Sequence, residues 1–442
     1  SKLPITFQNL LCNLYGYKEK NYRFGEIFKN EYQFLLKSDN YSEEEILNFQ
    51  KKHLPFFLEK SCKISDYYNN LNIVGNNLED FPVLTKEIIK NNFELIRSKK
   101  EFQKDARIVK TSGTTGKALS FIRSRESVSS QWAAWWRHRA RFGFYPGDWH
   151  INFTGKPFVP YSQERPPFWR IDYFRNQILI CTSQITSKKI KFILDFLNRK
   201  KISFITGYPS IVAQFCSLVQ SEGYCFDYKP KLVTLGAEKC HDFQYKMIKK
   251  VTNTIITDQY GFSEGCGNAS KCSHGNYHID WEMCHLECLD PVVNPDGSKT
   301  GKILATGYRN SAFPFIRYMT GDYATFAPDK YKCPCGIKSK VIFEINGRNE
   351  DYVLTSDGNK IMRFDYLFKL TYGIEEAQII QNKIDEIVIK YVPNKDFSNK
   401  DLNLIKSASQ KYINPNLIIN FISVEKIPRT SNGKFRAVIS NL

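Results

Sequence analysis

The stretch Ile202-Ser203-Phe204-Ile205-Thr206-Gly207-Tyr208-Pro209-Ser210 decides the fold. A short apolar run of strand character passes directly into a loop of small and hydroxyl-bearing residues. Ile211, Val212, Phe215, Leu218 and Val219 then stripe one face of a helix that ends near Gly223. The same unit recurs around it. Trp149-His150-Ile151-Asn152-Phe153, Leu232-Val233-Thr234-Leu235 and Thr254-Ile255-Ile256-Thr257 read as strands, and Ile190, Ile193, Leu194 and Leu197 line a helix after Ser187. Strands separated by helices of this length imply an α/β fold, with a mostly parallel sheet flanked by helices. Open sheets of this kind bind ligands at the carboxyl ends of their strands. Three polar loops lie there: residues 206–210, Gly236-Ala237-Glu238 and Tyr260-Gly261-Phe262-Ser263-Glu264, and together they suggest one composite site.

Working outward, the first hundred residues read as helices. Thr85 caps one whose face carries Ile89, Phe93 and Ile96, with Lys86 and Lys90 outward. After Ser127 comes an amphipathic stretch with Trp132, Trp135, Trp136 and Ala140 on one side and Arg137, Arg139 and Arg141 on the other. From about residue 350 a smaller α+β unit begins: a strand over 386–391, a helix over 402–413 and a strand over 417–424. The polar turn Gly347-Arg348-Asn349-Glu350-Asp351 separates a large N-terminal domain, 1–347, from a small mobile C-terminal domain, 348–442.

The whole chain has 442 residues, 42 % apolar, 24 % charged and 14 % aromatic, enough to bury a large core and unlike disordered or fibrous sequences. Its formal charge of +18 is spread along the chain without a run of five or six like charges, so it reads as a compositional habit and not as an interaction tail. No segment reaches the ~18 apolar residues that cross a bilayer. Residues 1–7 have no compact apolar run of signal-peptide type, so a cytoplasmic location is expected. Twelve Cys in such a chain point to reduced thiols and a metal, not to a disulfide framework.

Two groups of residues carry specific chemistry. Thr111-Ser112-Gly113-Thr114-Thr115-Gly116-Lys117 suits a phosphate cradle: glycines admit backbone N–H groups, hydroxyls add donors and the Lys adds charge. It is not a Walker A loop, because two residues and not four separate its glycines. Cys272, His278, Cys333 and Cys335 supply three thiolates and an imidazole, the tetrahedral set of structural Zn²⁺. His274 is a rival ligand, and Cys266, Cys284 and Cys288 are nearby alternatives.

Taken in order, these segments resemble the adenylate-forming superfamily, its phenylacetate–CoA ligase branch, and within that the capsular-polysaccharide (CapK-type) subgroup. The finer likeness rests on Phe174-Arg175-Asn176, Gly207-Tyr208-Pro209-Ser210, residues 272–278, Cys333-Pro334-Cys335-Gly336 and Ile427-Pro428-Arg429-Thr430-Ser431-Asn432-Gly433-Lys434-Phe435-Arg436. The resemblance implies an ATP-dependent ligase that forms an acyl-adenylate and releases pyrophosphate. By the same resemblance, residues 112–117 would hold the β- and γ-phosphates, with Thr111 opening that loop. Gly236, Ala237 and Glu238 would line the adenine pocket, Tyr260 would lie against the base, and Gly261 and Ser263 belong to the same ATP-binding segment. Glu264 would bind Mg²⁺, Asp322 would accept from the ribose hydroxyls, and Arg348 would contact ribose or phosphate. Lys434 would be the charge-stabilising catalyst. Glu350, where the family usually has Asp, would be the hinge about which the small domain turns. Phe153, Gly207, Tyr208 and Pro209 would approach the acyl group.

The partners implied are a small-molecule carboxylate and an acceptor, either an amine in surface-polysaccharide assembly or coenzyme A. A homodimer is left open. Direct nucleotidyl transfer and a non-catalytic nucleotide sensor are the rival readings. A nucleic-acid platform on the Trp/Arg helix is disfavoured, because aromatic and charged faces are what any helix packed on a sheet displays. His150 reads as a strand histidine.

Overall fold

The computed structural model describes the chain except residues 1–2, 74–76, 111–118, 157, 161, 349–352, 355–359, 362–363, 369–370, 372, 415 and 430–434, together with the side chains at 348, 360, 361, 365, 366, 411 and 412. Twelve described strands form one sheet. Their spatial order is Cys284–Val293, Lys299–Gly307, Phe315–Phe326, Val341–Arg348, Tyr277–Ile279, Asn268–Lys271, Ile255–Gly261, Leu232–Gly236, Phe204–Gly207, His150–Thr154, Gln177–Cys181 and Trp169–Asp172.

The α/β class holds, but parallel pairing is confined to the centre. It runs from Gln177–Cys181 through His150–Thr154, Phe204–Gly207 and Leu232–Gly236 to Ile255–Gly261. The other described pairs in this sheet are antiparallel, which corrects the expectation of a mostly parallel sheet. The reason is the connections. Parallel neighbours need a crossover, supplied here by helices Ser187–Lys200, Pro209–Ser221 and Asp242–Thr252; between 268 and 348 no described helix joins the strands, and the chain folds back on itself.

Alternation along the central strands divides two faces. Ile151, Phe153, Ile178, Ile180, Ile205 and Val233 join the core with Ile190, Ile193, Leu197, Ile211 and Phe215 of the crossover helices. The opposite side carries His150, Asn152, Gln177, Phe204 and Thr206. Helix Arg125–Ala140 lies over that second face. It begins earlier than the sequence suggests, because Ser124 caps it, its Oγ accepting from the Ser127 N–H at 3.1 Å. The arginines do not share one outer side as expected: Arg139 falls with Trp132 and Trp136, Arg137 two residues away faces the opposite way, and both are buried. Helix Glu26–Ser38 packs on it, and Asp39 just beyond that helix meets Arg137 and Arg141. Helix Ile5–Arg23 approaches the edge strand Trp169–Asp172 so closely that a Cβ on Gly16 would overlap the Asp172 carboxylate.

Thr85 does cap a helix, but it runs only Lys86–Asn91 and restarts as Phe93–Ile96. Beyond the large sheet, strands Ile418–Ser423, Glu386–Pro393, Ile374–Lys383 and Val438–Ser440 make a four-stranded sheet with helix Asn399–Tyr412. Ile379, Ile387, Ile389, Ile405 and Val438 give it a core of its own. No described helix is long and apolar enough to cross a membrane.

Candidate active site

A cleft of about 2100 Å³ opens at the carboxyl ends of the central strands. Close approach shapes its floor. At Gly207 a Cβ would stand 2.7 Å from the Phe153 Cβ, so only glycine lets strand Phe204–Gly207 turn there. Tyr208 follows in extended backbone, and Pro209 opens the next helix, where its missing N–H costs nothing. Phe153, Gly207 and Tyr208 line the cleft; Pro209 is buried in the helix start and does not.

The second loop is built around Ala237, which holds a left-handed backbone, φ +67°, between Gly236 and Glu238. That turn aims Glu238 inward. Its Oε2 accepts from the Ser210 N–H at 3.2 Å, and its Oε1 from the Phe435 N–H at 2.7 Å. Burial pushes this carboxyl up, and the two N–H donors oppose the shift. Phe435 directly follows Lys434, so the residue expected beside adenine also docks the C-terminal segment. Phe435, Arg436 and Ala437 line the same cleft.

Tyr260 and Asp322 meet there as well, the phenol donating to Asp322 Oδ2 at 2.8 Å. Glu264 is buried, and its Oε1 accepts from the Tyr318 hydroxyl at 2.9 Å. Arg123 braces the preceding turn: Nη1 donates to the Ser263 carbonyl at 3.1 Å and Nη2 to Gln131 Oε1 at 3.0 Å. Gln131 in turn donates to the Phe262 carbonyl at 3.3 Å. Gly236, Ala237, Glu238, Tyr260, Gly261, Ser263, Glu264 and Asp322 thus share one cleft. Arg348 ends its strand opposite Asp322. Residues 111–117, Glu350 and Lys434 lie outside the described residues.

Sequence reasoning missed Arg123, Gln131 and Tyr318. None belongs to a loop motif, and only Tyr318 adjoined a recognised one. Asp322, four residues after Tyr318, is the nearest signal that leads to it.

The four soft ligands also come together. One atom from each of Cys272, His278, Cys333 and Cys335 lies within 4.8 Å of the others. Cys272 Sγ and Cys333 Sγ are 3.8 Å apart, and Cys335 Sγ is 3.2 Å from His278 Nε2. A disulfide would need about 2 Å. The edge of a tetrahedron of thiolates about 2.3 Å from a zinc ion is about 3.8 Å. Ser339 Oγ lies 3.3 Å from His278 Nδ1 and orients the ring, while burial pushes the imidazole down to about 4 and so keeps it neutral, the form that ligates. The rivals are elsewhere: His274 contacts Ser273 on an exposed turn, and Cys266 and Cys284 belong to the main apolar core.

Comparison with known proteins agrees with this architecture. The family model for the CapK C-terminal domain matches residues 353–441. Over 99 % of this chain and 98 % of the relative, the sequence is 25 % identical to Protein CapK of Staphylococcus aureus. The chain is thus similar to CapK along nearly its whole length. A phenylacetate–coenzyme A ligase of Aromatoleum evansii is 26 % identical over 63 % of this chain and 62 % of its own. Among solved structures, a 2-hydroxyisobutyryl-CoA ligase in its postadenylation state, complexed with 2-HIB-AMP, superposes with a TM-score of 0.65 at 15 % identity, covering 90 % of this chain and 89 % of that one. The CapK-like likeness thus spans both sheets, and the cleft with Glu238, Tyr260, Glu264 and Asp322 lies where they face each other.

Proposed function

We propose that this chain is an ATP-dependent, AMP-forming ligase that activates a small-molecule carboxylate as its acyl-adenylate and passes the acyl group to an acceptor. One observation carries the reading: the strand-end loops 236–238 and 260–264, together with Asp322, share their cleft with Phe435 and Arg436 from the far end of the chain. In the reaction a carboxylate oxygen bonds to the α-phosphorus of ATP, and the bond to pyrophosphate breaks. Two anions meet, so catalysis requires cations and oriented donors. In this reading residues 111–117 cradle the β- and γ-phosphates, Arg348 contacts ribose or phosphate, and Asp322 accepts from the ribose hydroxyls. Tyr260 lies against adenine beside Gly236, Ala237 and Glu238. The Lys434 ammonium touches carboxylate and α-phosphate together, favouring the transition state over either separated anion. Glu264 offers the hard oxygen donors that would suit Mg²⁺, and the ion would supply positive charge to offset that of the phosphates.

We read the boundary between the two domains at 347/348, with Glu350 as the hinge, and assign the reaction to the cytoplasm. Cys272, His278, Cys333 and Cys335 are read as a structural zinc site that ties the segment after Glu264 to the segment after Asp322. For the acceptor, the resemblance to the capsular-polysaccharide subgroup suggests an amine in surface-polysaccharide assembly. The partial likeness to a phenylacetate–coenzyme A ligase favours coenzyme A. ATP–pyrophosphate exchange across a panel of carboxylates tests the first half-reaction, and product mass with coenzyme A or amino compounds tests the second. Lys434→Ala should lower exchange by about 100-fold or more while ATP binding persists. Unchanged exchange would remove Lys434 from its role.

A further inference from the structure

The cleft does not end at the nucleotide loops. It continues along the polar face of the central strands beneath helix Arg125–Ala140, past Asn152 and Gln177, to Arg139 and His150. Arg139 is only 4 % exposed. Its Nε and Nη1 are buried with no hydrogen-bond partner, and no carboxylate among the described residues pairs with it. What surrounds it is aromatic: the guanidinium lies 4.7 Å from the Trp136 ring centre, 5.5 Å from that of Phe204 and 5.8 Å from that of Trp132. Ring faces compensate part of a positive charge, but they accept few hydrogen bonds, and a buried planar fork with unused donors is matched by a carboxylate or a phosphate. Even after burial pushes it down to about 9, the group is cationic at neutral pH. His150 beside it is pushed down to about 3 by burial and by Arg139 itself, and so adds no competing charge.

Distance separates this cation from the reacting end. Gln131, which touches the Phe262 carbonyl next to the Glu264 loop, precedes Arg139 by two turns, about 12 Å along the helix axis. The strands give the same measure: Phe204, stacked on Arg139, begins the strand whose end at Gly207 lines the cleft mouth, three residues or about 10 Å away. The side chain leans back over Trp136 and Trp132, which shortens the gap but leaves it too long for one carboxylate to serve both ends.

We propose that Arg139 anchors a second anionic group, carboxylate or phosphate, at the far end of the acid this site activates, so that the enzyme selects acids that are anionic at both ends. The inference rests on the adenylation reading for the first anion and on Arg139 alone for the second. Matched pairs test it in the full-length protein: octanoate against suberate for a carboxylate, and gluconate against 6-phosphogluconate for a phosphate. Wild-type exchange should favour the doubly anionic member of at least one pair. Arg139→Met, which keeps the stacked shape, should lose that preference, with KM for the dianion rising about 10- to 100-fold while the neutral-tailed partner is used as well or better. Arg139→Lys should retain part of it, and covers the case in which the Met variant folds poorly. Binding is read separately from the fluorescence of Trp132, Trp135 and Trp136, which suberate or 6-phosphogluconate should perturb in the wild type and not in Arg139→Met. Dianion binding that depends on Arg139, without exchange by any acid, would overturn the adenylation reading and keep the anion site. Exchange that runs equally on both members of each pair, with fluorescence indifferent to dianions, would overturn the anion site and leave adenylation standing.

Discussion

Arg137 and Arg139 stand two residues apart on one helix and therefore on opposite sides of it. Both are buried, and their surroundings could hardly differ more. Arg137 meets Asp280 at 2.6 Å, Glu282 at 2.7 Å and Asp39 at 3.0 Å, and Ser38 and Asn268 satisfy those carboxylates further. Arg139 meets aromatic rings and the wall of the cleft. A buried charge paired with three carboxylates of its own chain is a structural joint, here between the N-terminal helices and the sheet. A buried charge left without acceptors is stable only because its fold carries it, and it is available to something else. The contrast locates function more sharply than exposure does, since both residues are hidden.

Stability measurements can break that contrast, and the largest effect is expected at the joint. Arg137→Met strands Asp280 and Glu282 in the interior and should cost about 3–5 kcal/mol in urea unfolding. Arg139→Met removes a charge that has no acid partner and should stay within about 1 kcal/mol of wild type or exceed it. Equal losses would mean that Arg139, too, is structural.

This pair also marks how far the sequence could be read. The Trp132, Trp135 and Trp136 spacing made the helix legible, and the strand-loop-helix units around Gly207 and Gly236 made the parallel centre and its ligand edge legible, because both patterns are local. Arg137 and Arg139 looked like a solvent face. The burial of Arg137 depends on Asp39, about a hundred residues earlier, and on Asp280 and Glu282, about 140 later, and that of Arg139 on Phe204, about 65 later, which no periodicity reveals. The antiparallel strands between 268 and 348 were hidden for a similar reason: they were read for their Cys, His and Asp residues, while their pairing partners follow from turn lengths. The Cys/His cluster, by contrast, was found from ligand chemistry alone, and the structure brings together the chosen four and not the rivals.

That cluster gives the next effect. It joins segments about 60 residues apart, as the Arg137 network joins helix to sheet, but through ligands in place of ion pairs. Cys333→Ser, or stripping with a chelator, should lower stability by about 2–3 kcal/mol, and zinc measured by mass spectrometry on the intact wild-type chain should be lost in parallel. A metal-free preparation of undiminished stability would reject a structural ion. Gly16→Ala probes a joint made by close approach, where helix Ile5–Arg23 touches Asp172; the added methyl should cost about 1–2 kcal/mol and disturb the Arg175 pair that Asp172 holds.

The smallest effect is a pH dependence that only the acid-paired side should show. Burial by itself would push the Asp39 carboxyl up, but Arg137 and Arg141 beside it outweigh this and hold it below the ordinary carboxylate value of 3.8. A carboxyl depressed in the folded state binds its proton later than in the unfolded chain, so its contribution is complete above about pH 5 and is lost as the pH falls through the folded value. The stability difference between wild type and Asp39→Asn should therefore be constant from neutrality to about pH 5 and shrink below that. In an Arg137→Met background the acid-side change should flatten, because the main counter-charge is gone. Arg139→Met should leave it untouched, since no acid among the described residues pairs with that arginine. A slope that responded equally to both substitutions would mean that the two sides of the helix share one electrostatic network, and the distinction between joint and anchor would fail.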